Sequence, residues 1–146
     1  ELAAIAGENK QRARWDLWKK IGDDKRGGLV HLAHHIGTAG SSAYESSAPQ
    51  RELAEAFVES GRWGEEAPRV ILRAHRHRYI QNRVAGRDGE YIVAVSPAWQ
   101  LKTPLAYKIM GGRQSQPQIG GLMVRFHKGE LFVRPFVRGI SRSKEE

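Results

Sequence analysis

The chain has no cysteine. That removes disulfide scaffolding and thiolate zinc sites, so any metal must rest on nitrogen and oxygen ligands. Nor does it hold an apolar run near the ~20 residues that span a bilayer as a helix. No basic-then-apolar leader opens it. No membrane partner is expected, a reducing or indifferent compartment fits, and a cytoplasmic location is the expectation. Internal repeats are missing, and the one low-complexity stretch is the polar tail Ser141 to Glu146, expected to be flexible.

Blocks of like charge are missing as well, although the chain is basic overall, with 24 Lys+Arg against 16 Asp+Glu. Such an excess favours polyanion partners. The arginines at 69, 73, 76, 78, 83 and 87 are scattered, without regular aromatic interleaving, as on ordinary solvated faces.

At 146 residues the chain is the size of one domain. Glu1 to Gly7 reads as the end of a helix, and with Glu1 in first place a piece of a longer protein is expected. Arg14 to Ile21 fits either period, but Gly22-Asp23-Asp24 and Gly27-Gly28 favour a hairpin into Leu29 to Ala33. After the small-residue loop Gly37 to Ser42, Ser46 or Ser47 caps a helix with Pro49 in its first turn. Leu53, Ala56 and Phe57 form its apolar stripe, and Gly61 is expected to stop it. A strand over Arg69 to Ala74 follows. Next comes a hairpin of Tyr79 to Val84 and Tyr91 to Val95 about Gly86-Arg87-Asp88-Gly89. Further strands are expected at Leu105 to Met110, Leu122 to Phe126 and Leu131 to Val137, with Lys128-Gly129 as the last turn. Pro104 and Pro135 suit strand ends or edges. The plan is an α/β (α+β) fold with a mixed, mostly antiparallel sheet, and it needs more covering layers than the chain supplies.

The chemistry lies in the histidines. His75 and His77, spaced i, i+2 on an extended backbone, would project to one side at the end of Val70-Ile71-Leu72. His34 and His35 end a second apolar run. Alternation places Val30, Leu32 and His34 on one face and His31 with Ala33 on the other, leaving His35 opposite unless a turn begins there. A single histidine is more often a hydrogen-bonded structural residue than a ligand. Two pairs that both end apolar strands favour a metal, and imidazole suits several divalent ions. His127, beside the Lys128-Gly129 turn, reads as exposed and structural, and Arg76 and Arg78 as solvated. Trp15, Trp18, Trp63 and Trp99 read as core or edge covers, with Trp99 the best candidate for a substrate-facing ring. Thr38, Ser41 and Ser42 either line the loop after His34 or close it.

Ala74-His75-Arg76-His77 after a strand resembles the Gly-His-x-His motif of calcineurin-like metallophosphoesterases. Leu32-Ala33-His34-His35 resembles that family's upstream strand ending in a metal-binding histidine or His-His pair. Ser96 to Pro104 and Gln118-Ile119-Gly120-Gly121 resemble a phage-associated branch of it. The resemblance covers residues 14 to 138. It implies the C-terminal half of a β-sandwich flanked by helices, so that residues 1–146 form a single domain fragment. It also implies hydrolysis of phosphoesters at a site holding two divalent ions, of Mn, Fe or Zn. His34 and His75 would bind one ion and His77 the other, with His35 a further candidate. Such ions, ~3.5–4 Å apart, clamp a phosphoryl group and activate a bridging water.

The family's Asp-x-His, Gly-Asp-x-x-Asp and Gly-Asn-His motifs do not occur, Gly7-Glu8-Asn9 being a poor echo of the last. Catalytic residues therefore go unassigned, and the missing N-terminal half is the expected partner, the fragment alone being expected inactive. Ala74 stands where the family has glycine, a mild change if the local φ is negative. A second reading is a non-catalytic basic β-rich module that binds nucleic acid, with Arg73, Arg76, Arg78, Arg83 and Arg87 on one exposed face. Tyr79 and Tyr91 would be its stacking platforms. A third is a single-metal nuclease using His34-His35, His75 or His77, and Asn82.

Overall fold

The computed structural model describes residues 16–23, 27–37, 42–101, 103–104, 108 and 118–139. The expected opening helix end, Trp15, Thr38, Ser41 and the tail lie outside them. So does nearly all of the strand expected at Leu105 to Met110, whose one described residue, Lys108, is helical.

Seven strands, a 3-10 turn at Ser42–Tyr44 and one α-helix follow in chain order: β1 Asp16–Gly22, β2 Gly27–Ala33, α1 Ser47–Trp63, β3 Val70–Arg73, β4 Ile80–Gly86, β5 Gly89–Val95, β6 Gln118–His127 and β7 Glu130–Gly139. The first five strands form one mixed sheet in the order β1-β2-β3-β5-β4, and β6 and β7 form a separate hairpin. β2, β3 and β5 run parallel at its centre, and β1 and β4 close the edges antiparallel. The fold is thus mixed α+β, mostly strand, with α1 the helix that packs on the sheet.

Val70-Ile71-Leu72 and Ile92-Val93-Ala94-Val95 are unbroken apolar runs because both faces of the central strands are covered. On one face Leu53 of α1 packs on Ile71, Tyr91 and Val93. On the other, Leu131 and Val133 of the β6–β7 hairpin pack on Val30, Val70, Ile92 and Ala94. Ile71 and Ile92 are fully buried, and truncating either to alanine removes roughly 2–5 kcal/mol of stability.

The turns follow the glycines. Gly22 and Gly27 pair at φ 119° and 118°, and Lys128-Gly129 turns β6 into β7 at φ 51° and 89°, the left-handed geometry tight hairpins need. One expectation fails at α1. Gly61 lies inside the helix, which ends at Gly64 in the left-handed conformation with its N–H returned to Ser60 O. A lone glycine only weakens a helix interior, whereas the terminus takes the glycine that can reverse φ. At the other end Ser46 is the N-cap but makes no side-chain cap bond, and Ser47 Oγ donates to Tyr44 O instead.

Candidate metal centre

β2 and β3 are parallel neighbours, Leu32 beside Leu72, so the residues that follow them leave the sheet together at its carboxyl edge. Ala74 N donates to His34 O at 3.0 Å and extends the pairing one step past both strands. The backbone then turns. His75 takes φ 71° and His77 φ 55°, positions that L-residues occupy at a cost and that cluster at functional sites.

This corrects the extended Ala74-His75-Arg76-His77 reading. β3 stops at Arg73, and the i, i+2 rule for a strand does not carry into a left-handed bend. Ala74 is not the strained position; His75 is.

His75 instead meets the upstream pair. Because β2 ends at Ala33, both His34 and His35 lie in the turn and reach the same space. Ring centroids are 5.4 Å apart for His34 and His75, and 4.9 Å for both His34–His35 and His35–His75. Each of the three can offer one ring nitrogen such that all three nitrogens lie within 4.8 Å of one another. All three side chains are exposed. Around a tetrahedral zinc at ~2.0–2.1 Å, ligand nitrogens sit about 3.4 Å apart, so closure needs a modest turn of exposed rings. The group can hold a metal ion.

Burial lowers the pKa of His75, and the neighbouring His35, His34, His77 and Arg76 lower it further. A ring held neutral at neutral pH is ready to ligate. No carboxylate belongs to the group among the described residues, so it offers three neutral donors and no charge to balance an ion. His77 stands outside the three-residue group, although its charge reaches His75. Its half-buried segment is tied down by Gln118 N donating to His77 O at 3.0 Å.

A second histidine centre escapes the sequence reading. His31, on the helix side of β2, gives Nε2 to Asp16 Oδ1 at 2.5 Å and lies 3.3 Å by Nδ1 from Arg73 Nη2. Guanidinium only donates, so Nδ1 accepts and the proton sits on Nε2. Trp18 stacks on the ring at 3.9 Å. Arg73, 7% exposed, reaches on to Glu52 of α1 through Nε at 2.9 Å and Nη2 at 2.8 Å. Register alone could have signalled part of this, since the Gly22–Gly27 turn sets Trp18 opposite His31.

Most of the remaining expected residues find structural work. Arg73 is buried rather than on an exposed basic face. Arg78 pairs with Glu45 at 2.8 Å, Arg83 with Glu90 at 3.1 Å, and Arg76 donates to Gly37 O. Of the two tyrosines, Tyr91 is buried beneath Phe57, and Tyr79 is half-buried. Asn82 Nδ2 donates to Ser46 O at 2.8 Å and fixes the start of α1. Trp18 and Trp63 are exposed beside a groove of about 440 Å³ that they line with Glu59, Glu65 and Glu66. Trp99 is 84% exposed and follows β5, whose carboxyl end lies on the same edge as the histidines. No family model, curated protein or solved structure matches the chain in the three comparisons made.

Proposed function

We propose that the chain supplies the histidine side of a divalent-metal site that hydrolyses phosphoesters, of the calcineurin-like metallophosphoesterase kind. The observation that carries the reading is the convergence of His34, His35 and His75 at the carboxyl ends of parallel β2 and β3. Ligands of open α/β sheets bind at such ends. The order of elements, a strand followed by His-His, a helix, then a strand followed by Ala-His-x-His, supports the family reading.

A divalent ion bound there supplies Lewis-acid polarisation of a phosphoryl oxygen and a bound water of lowered pKa. The chain's part is to hold three imidazoles facing one another, on a backbone fixed by the Ala74–His34 bond. His77 would serve a second ion, and Trp99 would face the substrate. The site would be completed in a β-sandwich by an N-terminal half of the same domain. That half would bring the Asp-x-His and Gly-Asp-x-x-Asp carboxylates that the cluster lacks, with the whole acting on a phosphoester in the cytoplasm.

Calorimetric titration with Zn²⁺ or Mn²⁺ should give one ion bound per chain, lost in His75→Ala. Hydrolysis of bis(p-nitrophenyl) phosphate should be negligible for this chain. It should appear, sensitive to EDTA, when the chain is extended upstream through those motifs. No ion uptake would sink the metal site, and uptake without hydrolysis in the extended chain would sink the reaction class.

A further inference from the structure

The β6–β7 hairpin has two unlike faces. Leu122, Val124, Phe126, Leu131 and Val133 turn inward onto the sheet. The outer face of β7 reads Phe132, Arg134, Phe136, Arg138, with Arg125 across from Phe132 and Met123 across from Arg134. Phe132 is 40% exposed and Phe136 51%, although rings of this size are the ones an inward face would have buried.

The arginines here differ from four others in the fold. Arg62, Arg73, Arg78 and Arg83 each have a glutamate within ion-pair distance. Among the described residues Arg125, Arg134 and Arg138 form no ion pair, and Arg134 lies over the Phe136 ring at 5.1 Å. Gly121 stands opposite Phe136, and nothing lies within 4 Å of where its Cβ would be. The flank of the Phe136 ring is open.

We infer that this face binds single-stranded nucleic acid, with bases stacked on Phe132 and Phe136 and phosphates paired to Arg125, Arg134 and Arg138. Side chains at i, i+2 on one strand face are ~6.6–6.8 Å apart, so β7 offers ring, charge, ring, charge in a row. Every base has a face to stack, and every linkage has a negative charge, so the row needs no particular sequence. A second copy of the chain would bring three more unpaired cations to the same face. An acidic peptide would satisfy the arginines and leave the rings bare. Arg73, Arg76, Arg78 and Arg83 are thus engaged within the fold, whereas the hairpin gathers three arginines without an ion pair on one face.

Fluorescence polarisation of a labelled oligothymidylate, in EDTA so that the metal site plays no part, tests this. The wild-type chain should bind, and its affinity should fall linearly on a log–log plot against salt. Phe136→Ala and Phe132→Ala should each weaken binding roughly 5- to 150-fold with the salt slope unchanged. Arg134→Gln should lower that slope by about 0.7. Thermal melts check folding, and Phe136→Leu, which keeps apolar bulk without a stacking face, replaces any alanine variant that fails to melt cooperatively. Several results would overturn the inference: no wild-type binding, unchanged affinity in both phenylalanine variants, competition by polyglutamate as strong as by unlabelled oligonucleotide, or a dimer that Phe136→Ala dissolves.

Discussion

His31 and His34 are three residues apart on one strand end, yet they occupy opposite kinds of site. His31 has both nitrogens engaged, a carboxylate on one and a guanidinium on the other, and an indole against its face. The histidines of the 34/35/75 group face one another, exposed, with no carboxylate in the group. Burial lowers the pKa of both His31 and His75, but the rest differs. Arg73 lowers His31 further against the opposing Asp16 hydrogen bond, whereas His75 is lowered by other histidines and Arg76. A histidine with a carboxylate at one nitrogen and a donor at the other has nothing left to give a metal. His34, His35 and His75 instead bring one ring nitrogen each within 4.8 Å of the others.

The harshest way to break the contrast is to open the satisfied network. Arg73→Met keeps the volume but leaves Glu52, a largely buried carboxylate, without its partner. Removing one member of such a pair costs about 3 kcal/mol or more. Urea unfolding should show that loss, while zinc affinity of the surviving folded protein stays near wild type. A fall in zinc affinity equal to the loss in stability would mean that the two centres are one unit.

His75→Ala should do the reverse. Loss of a hydrogen-bond partner behind a metal ligand already costs 10–100-fold in affinity, so loss of a ligand from a group of three should exceed about 100-fold. Stability of the metal-free protein should barely move, because the ring is exposed. Competition with a chelating dye measures the affinity.

How much of this the sequence showed follows from where local rules stop applying. The central strands were readable from apolar runs and the hairpins from glycines, because those signals are local: burial on both faces replaces alternation with an unbroken apolar run. His34 and His75 were legible as residues that end apolar strands. His35 was only a further candidate, its place depending on a turn that begins once β2 ends at Ala33, and alternation placed His77 beside His75, where φ reverses instead. The Asp16–His31–Arg73–Glu52 network joins β1, β2, β3 and α1. Only the order of strands in the sheet could have brought those four together.

The two centres should also separate by pH. The folded pKa of His31 lies below its ordinary 6.5, so as pH falls through 6.5 the unfolded chain takes up a proton that the folded chain does not. Stability contributed by neutral His31 is therefore full above 6.5 and is lost as pH falls through the lowered folded pKa. The slope is at most ~1.4 kcal/mol per pH unit for one proton. In His31→Gln that part of the slope should vanish from the urea midpoint, measured without metal from pH 8 downward. In His75→Ala the His31 part should persist. Asp16, whose burial is outweighed by hydrogen bonds from His31 and Trp18, is lowered below 3.8, and its contribution is lost only in a separate, more acid range.

The smallest effect sharpens the comparison most. A non-glycine residue at positive φ costs roughly 1–3 kcal/mol, and glycine's extra unfolded-state entropy returns about 0.5–1. His75→Gly should therefore stabilise the metal-free chain by about 1 kcal/mol while destroying metal binding, a gain in fold at the expense of the site. Lys128, at φ 51° in the β6–β7 turn, is the control: Lys128→Gly should gain a similar amount and leave metal binding intact. His31 has no positive φ to relieve, and His31→Gly should only lose stability. If His75→Gly destabilised the chain, the left-handed bend would be holding the fold together rather than holding a ligand in place, and His75 would belong with His31.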